Sequence, residues 1–147
     1  MSQKLDFVVA GKTIMNITTK NLHEYTEQQI FDYVVDKLFT QNRASINADD
    51  HCQYRGENGI KCAAGHLIAD EDYDRSFEGA DWSELVDNGD VPKDHFDLIR
   101  KLQEMHDSVA FNNSGGFASM LDYAANDLAS ELELKYTRKF PVDNSTK

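Results

Sequence analysis

Apolar residues recur at helical spacing in three long stretches of the chain. The first stretch, residues 30–39, follows Thr26 and Gln29, which form the capping-box pattern of a helix start. The second runs from about residue 92 to 111 and the third from about residue 117 to 136. Each places its apolar side chains on one side of a helix with a period near 3.6 residues. We therefore predict three main helices.

Two other stretches are typical of β-hairpins. Residues 5–9 and 13–17 are rich in β-forming residues and flank a turn at Gly11. Residues 51–62, HCQYRGENGIKC, carry the turn pair Asn58-Gly59. In this second hairpin, alternation along the strands places four side chains inward: Cys52, Tyr54, Ile60 and Cys62.

Together these elements predict an α+β fold class, with one or two β-hairpins packed against about three main helices. The chain has 147 residues, a length typical of one domain with an ordinary hydrophobic core. We assign residues 1–140 to this single domain and interpret residues 141–147 as a frayed C-terminal tail.

Composition and charge limit the classes of function and the cellular location that the sequence allows. The net charge is −11, which argues against direct binding of nucleic acid, because such proteins need basic patches to displace counterions. The first twelve residues, MSQKLDFVVAGK, lack the pattern of a signal peptide, and no apolar run is as long as a membrane span. Two cysteines without a secretory signal are typical of a reducing cytosol, so we expect a cytoplasmic protein.

Residues 70–90, here called the acidic segment, hold nine acids and one base, Arg75, and so contribute −8 of the net charge. Asp81 and Glu84 form a second capping pattern, and Gly89 is placed to end that short helix. The spacing of five acids from Asp70 also resembles a calcium loop, but Arg75 replaces the required glycine and the last ligand is Asp81 instead of glutamate. Solvated helix caps and a docking face for a basic partner remain as interpretations of the acidic segment.

Cys52, Cys62 and His66 are the candidate metal ligands. Zinc needs about four sulfur or imidazole ligands, and the spacing C-x9-C-x3-H supplies three of them once a hairpin brings its ends together. A fourth ligand would come from elsewhere, and His106 and Asp107 are the candidates. Because neighbours on a helix point about 100° apart, we expect His106 to border the apolar stripe and Asp107 to be solvated.

Three interpretations of the two cysteines stay open. The first is that both are buried core residues, since free cysteine behaves as a small hydrophobe. The second is a zinc site, and the third is a reactive thiol activated by a nearby base such as His66. No complete catalytic set is present, so an enzyme is not assigned and a non-enzymatic role is favoured.

The string CQYRGENGIKCAAGHLIADE, residues 52–71, resembles the pattern C-x-Y-R-x-x-x-G-x-K-C-A-x-G-x-L-I-x-D-E of small proteins encoded by tailed phages and bacterial genomes. Glu78-Gly79 and the run from Leu102 to Asp107 are similar to later parts of those proteins. The resemblance implies a phage-encoded accessory protein in the host cytoplasm and implies no activity. In that pattern other residues often stand at the position of His66, which weakens its case as a ligand or base.

The leading hypothesis is an acidic, non-enzymatic binding protein that engages a host or phage protein with a basic surface. The alternative is a zinc- or thiol-dependent enzyme centred on Cys52 and Cys62. Alternation along the second hairpin turns two basic side chains, Arg55 and Lys61, outward, next to the acidic segment. The predicted partner-binding residues are Arg55, Lys61, Asp70, Asp72, Asp74 and Glu78.

Overall fold

Four α-helices form the body of the protein. The structure, a computed structural model, describes residues 16–49, 51–110 and 116–140, together with the backbone of two short strands. The helices are α1 (Glu27–Gln41), α2 (Trp82–Asp87), α3 (Phe96–Ala110) and α4 (Phe117–Leu132). Short 3-10 helices lie at Leu22–Glu24, Glu57–Gly59, Ala64–Leu67, Asp70–Asp72 and Arg75–Phe77.

The predicted α+β fold class is wrong, because the protein is helical. Helix accounts for 57% of the described residues, and residues 16–49, 51–110 and 116–140 contain no strand. The backbone of β1 (Phe7–Val9) pairs antiparallel with that of β2 (Lys12–Ile14), with Phe7 opposite Ile14. This ladder is three residue pairs long, shorter than the five-residue strands predicted, and is too short to define a sheet layer.

The predicted hairpin over residues 51–62 is also wrong. The chain does reverse at Glu57–Gly59, where Gly56 N–H donates to the Ile60 carbonyl over 2.8 Å. The flanking residues form no ladder with each other, and Cys52 instead makes an isolated bridge with Ile46. The segment is therefore a compact loop between α1 and α2.

The backbone donors of this loop explain why no hairpin forms. The N–H groups of Tyr54 and Arg55 donate to the two carboxylate oxygens of Glu78, over 3.0 and 3.1 Å. The N–H of Lys61 donates to the side chain of Gln41 on α1, over 2.8 Å. Because side chains from distant parts of the chain take these donors, they are not available to a cross-strand ladder.

Both predicted capping boxes are confirmed. The Thr26 side chain accepts a hydrogen bond from Gln29 N–H (3.1 Å) and the Gln29 side chain accepts one from Thr26 N–H (2.9 Å). Asp81 and Glu84 make the same reciprocal pair at the start of α2. Gly89, at φ 79°, follows the end of that helix as predicted.

Helix α3 lies at the centre of the core and contacts all three other helices. It buries a broad stripe, and the 3-10 turn Ala64–Leu67 packs against both α1 and α3. The largest fully buried side chains lie between residues 17 and 121: Ile17, Leu22, Ile30, Phe31, Leu38, Leu67, Trp82, Leu85, Leu98, Ile99, Leu102 and Leu121. One continuous core therefore fixes the loops that carry the candidate site.

Helix α4 ends four residues before the predicted boundary at Tyr136. Glu133 adopts a left-handed conformation at φ 59°, and residues 134–140 then form an extension without helix or strand. The buried carboxylate of Asp122 fixes this extension by accepting hydrogen bonds from Tyr136 OH (2.6 Å) and Arg138 Nε (2.7 Å). The C-terminal tail predicted over residues 141–147 lies outside the described residues.

None of the helices in the described part of the chain has the length and apolar character that crossing a membrane requires.

Candidate functional site

Both cysteines line one pocket, here called the cysteine pocket, which encloses about 370 Å³. The loop after α1, the start of α2 and the C-terminal half of α3 form its walls. Its lining residues are His51, Cys52, Tyr54, Cys62, Gly79, Ala80, Asp81, Gln103 and Asp107. Tyr54, Ile60 and Cys62 are buried as predicted, although no hairpin carries them, and Cys52 is half-buried.

The carboxylate of Asp107 is the centre of the polar contacts in the cysteine pocket. Its Oδ1 lies 2.7 Å from Cys52 Sγ, 2.8 Å from Gln103 Nε2 and 3.0 Å from His106 Nδ1. Burial works to raise the pKa of Asp107, but the hydrogen bonds from His106, Cys52 and Gln103 outweigh it and hold the pKa below its usual range. Asp107 is therefore an anion that three side chains hold in place.

The protonation of His106 follows from its two ring contacts. Ser45 N–H donates to His106 Nε2 over 3.0 Å, so Nε2 carries no proton. The proton of the neutral ring then lies on Nδ1 and is donated to Asp107. His106 is fully buried on the apolar side of α3, as expected, whereas Asp107 is only partly solvated because the His106 ring reaches its carboxylate.

Both cysteines are held as thiols. Burial raises the pKa of Cys52, and the hydrogen bond to Asp107 and the charge of that carboxylate raise it further. Burial raises the pKa of Cys62 to about 12. Since the thiolate is the nucleophile, this environment opposes thiol catalysis at neutral pH.

Three potential metal-ligand atoms lie together: one each from Cys52, His106 and Asp107, within 4.8 Å of one another. A metal would replace the thiol proton that Cys52 shares with Asp107, which suits a sulfur–oxygen pair of zinc ligands. His106 fits less well, because its Nε2 is occupied by Ser45 and its Nδ1 carries a proton. Cys62 lines the same pocket but does not join this group.

His66 lies apart from the other predicted metal ligands. Its Nε2 is 2.9 Å from Gln41 Oε1, and its ring lines a different pocket together with Lys61. Burial lowers the pKa of His66 to about 3, and the charges of Lys61 and Lys37 add to that effect. The ring is therefore neutral, but it does not face Cys52 across the cysteine pocket and is not placed as its base.

Two predicted partner-binding residues, Arg55 and Glu78, already have partners within the protein. The Arg55 guanidinium donates to the carbonyls of Gly65 (3.1 Å) and Ile68 (2.7 Å) and lies over the Tyr73 ring at 4.8 Å. The Glu78 carboxylate accepts hydrogen bonds from the backbone N–H groups of Tyr54 and Arg55. Both residues therefore organise the loop that carries Cys52.

The other predicted partner-binding residues are more accessible. Asp70 exposes 86% of its side chain while it pairs with Arg55, and Asp74 is exposed and caps the turn at Ser76. Asp72 is half-buried and pairs with Lys20 over 3.5 Å. Lys61 is half-buried, and burial lowers its pKa.

Gln103 and Ser45 complete the site and were not predicted from the sequence. Gln103 lies four residues before Asp107 on α3, a spacing that brings side chains together on a helix and could have indicated the pair. Ser45 acts through its backbone N–H, which no sequence pattern identifies. These two residues thus join the site through one local contact and one contact across 61 residues.

No protein-family model matches the chain, and no match was found among the curated proteins or the solved structures.

Proposed function

We propose that the protein is an acidic, non-enzymatic binding protein that docks on a basic surface of a partner protein through the acidic segment. The observation that supports this best is the placement of the acids. Seven of the nine acids in residues 70–90 are exposed, while Phe77, Trp82 and Leu85 of the same segment are buried in the core. The backbone of the segment is therefore held in place while its charges are exposed. Because the segment is already ordered, less conformational entropy is lost when a partner binds.

The nature of the partner follows from charge. A surface with this excess of carboxylates attracts a basic partner and repels phosphate backbones and anionic lipids. The resemblance of residues 52–71 to phage-encoded proteins supports a role as a phage accessory factor that binds a host or phage protein. Both thiols are kept protonated, which supports a non-enzymatic role over thiol catalysis.

The experiment is a pull-down from bacterial host lysate with the full chain and two matched triple variants. The test variant carries Asp70→Asn, Asp74→Asn and Asp87→Asn, which remove three exposed charges and preserve the capping ability of residue 74. The control carries Asp49→Asn, Asp97→Asn and Asp127→Asn, which remove three exposed charges elsewhere. Both variants change the net charge equally.

A partner retained at low salt and released at high salt should be lost from the test variant and kept by the control. If both variants retain the partner equally, the proposal is contradicted. It is also contradicted if both lose the partner equally, because binding would then depend on the net charge and not on the position of the acids.

A zinc site is the second candidate function, favoured by the three ligand atoms of Cys52, His106 and Asp107 that lie within 4.8 Å. Protein purified without added metal should contain stoichiometric zinc by elemental analysis. Cys52→Ala should remove the metal, whereas His66→Ala should keep it, because His66 lies in the other pocket. Metal well below one equivalent in the unmodified protein rejects this candidate.

A further inference from the structure

A second pocket of about 610 Å³ lies between α1, the 3-10 turn Ala64–Leu67 and residues 16–24, and is here called the lysine pocket. It gathers basic side chains in a protein that is otherwise strongly acidic: Lys20, Lys37, Lys61 and His66. Its volume lies in the range of small-molecule sites. The charge balance inside it decides what it can hold.

The carboxylates that line the lysine pocket have other partners. Asp70 lies 3.0 Å from the Arg55 guanidinium, and Glu71 lies 3.5 Å from Lys20. Glu24 lies 3.9 Å from His23. Arg55 lies outside the pocket lining and pairs with Asp70, whereas Glu71 uses Lys20, one of the three lysines of the pocket.

Lys37 and Lys61 are left without a carboxylate partner. Within residues 16–49, 51–110 and 116–140, neither makes an ion pair, and the nearest aromatic contact of Lys37 Nζ is the Tyr33 ring at 5.3 Å. Both side chains are half-buried, and burial followed by the charge of Arg55 lowers the pKa of Lys61. Two ammonium groups thus line one pocket without an ion pair of their own, and Asp70, the carboxylate whose charge acts against the lowering of the Lys61 pKa, is already paired with Arg55.

His66 adds a hydrogen-bonding group without adding charge. Gln41 Oε1 accepts from Lys61 N–H over 2.8 Å and lies 2.9 Å from His66 Nε2, so the imidazole donates through Nε2. The neutral ring then has an acceptor at Nδ1. The pocket therefore combines two cations with a neutral imidazole, a combination that suits a partly protonated oxyanion.

We propose that the lysine pocket binds a phosphate group, held between the ammonium groups of Lys37 and Lys61. Charge-assisted bonds from two ammonium groups match the charge of a phosphate. The acids around the rim and the net charge of −11 repel extended polyanions, which restricts the ligand to a compact one. Asp70 and Glu71 of the acidic segment line this pocket, but Lys37 and Lys61 lie outside that segment, so phosphate binding can fail or succeed independently of the docking role.

The test is a titration of the full-length protein with inorganic phosphate and with ribose 5-phosphate, followed by amide chemical shifts and by calorimetry. Lys37→Gln and Lys61→Gln should each weaken phosphate binding by about fivefold or more, because each removes one charge-assisted contact. Lys61→Arg should retain binding, since it keeps the charge. Lys20→Gln is the matched control and should change the affinity by less than about twofold, because Lys20 is already paired with acids and exposed.

Saturable shifts at the amides of Lys61 and His66 support the site. Tighter binding of ribose 5-phosphate than of phosphate would identify an organic phosphate as the ligand class, and equal binding would identify the free ion. Shifts that do not saturate overturn the proposal, as does an equal loss of affinity in Lys20→Gln and Lys61→Gln with unchanged circular dichroism.

Discussion

Two carboxylates on neighbouring helices, the half-buried Asp107 on α3 and the buried Asp122 on α4, have opposite surroundings. Asp122 is fully buried and accepts from a guanidinium, a phenol and the N–H groups of Lys139 (2.7 Å) and Phe140 (3.0 Å). Asp107 keeps 39% of its side chain exposed and accepts from a thiol, an amide and an imidazole. The first group of donors anchors a chain segment, and the second surrounds an open pocket.

The difference shows how to separate a structural carboxylate from a candidate site. The donors of Asp122 include a permanent cation and two backbone groups, none of which gives up its proton or its place. Among the donors of Asp107, the thiol of Cys52 can exchange its proton for a metal, and it borders a pocket of about 370 Å³. We therefore expect changes at Asp122 to affect stability and changes at Asp107 to affect reactivity.

The largest effect is expected from Asp122→Ala. The substitution removes four hydrogen bonds and the partner of Arg138, so the free energy of unfolding should fall by about 3 kcal/mol. Urea denaturation measures this change. Trypsin should also cleave faster after Arg138 and Lys139, because the hydrogen bonds by which Asp122 holds this segment are lost.

Asp127→Ala on the same helix is the control, since residue 127 is exposed and its loss should change stability by less than about 0.5 kcal/mol. Equal destabilisation by the two substitutions would show that Asp122 contributes only as a helix residue.

The second prediction concerns the pH dependence of the stability that Asp122 contributes. Burial alone would raise the pKa of Asp122, but the hydrogen bonds from Arg138 and Tyr136 and from two backbone groups lower it to about 2, against an ordinary 3.8. Because the folded pKa is depressed, the stabilisation is fully present above about pH 5 and is lost as pH falls toward 2. The whole contribution is about 2 kcal/mol, and about half of it should be gone at pH 3.

Comparison of unfolding curves for the unmodified protein and Asp122→Asn between pH 6 and pH 3 measures this term. The difference in stability between the two proteins should shrink as pH falls. A difference that stays constant over this range would mean that the carboxylate is not preferentially ionised in the folded state.

The third prediction tests whether Gln103 links the candidate site to the core. Its amide donates to Asp107 (2.8 Å) and accepts from the buried N–H of Ala64 (2.9 Å), so Gln103→Leu leaves a backbone donor unpaired. We expect a loss of about 1.5 kcal/mol in urea denaturation. Glu104→Leu, at the exposed neighbouring position, should cost much less, and a similar cost at both positions would contradict the link.

The starts of α1 and α2 could be predicted from the sequence because their determinants are local, whereas α3 begins at Phe96 and not near the predicted residue 92. Thr26 with Gln29, and Asp81 with Glu84, lie three residues apart, and each pair satisfies the backbone of its own first turn. The hairpin prediction at residues 51–62 failed for the opposite reason. Its backbone donors are taken by side chains distant in the sequence, and alternation along a strand carries no information about such competitors.

The candidate site was predicted in part for the same reason. Cys52 was recognised from its residue type, and Asp107 was named only as a distant fourth ligand. His106 reaches Asp107 because Ser45 holds the ring from the other side, across 61 residues. Asp122 gave no signal, because the apolar pattern assigned Tyr136 to helix α4, and the other partners, Arg138, Lys139 and Phe140, lie beyond that stretch with no pattern that links them to residue 122.

The last and smallest effect tests the exchangeable proton of the cysteine pocket. Burial is the main reason that the pKa of Cys52 is raised, and Asp107 adds to it through its hydrogen bond and its charge. Asp107→Asn removes that charge, so the pKa of the thiol should fall and its alkylation by iodoacetamide at pH 8 should become about fivefold faster, equivalent to about 1 kcal/mol.

Asp81→Asn removes a charge from the same pocket without a contact to Cys52, and should leave the rate nearly unchanged. Peptide mass spectrometry separates Cys52 from Cys62, which should remain the slower residue because it is buried. Equal acceleration by both substitutions would mean that the general field of the pocket, instead of the contact with Asp107, keeps the thiol protonated.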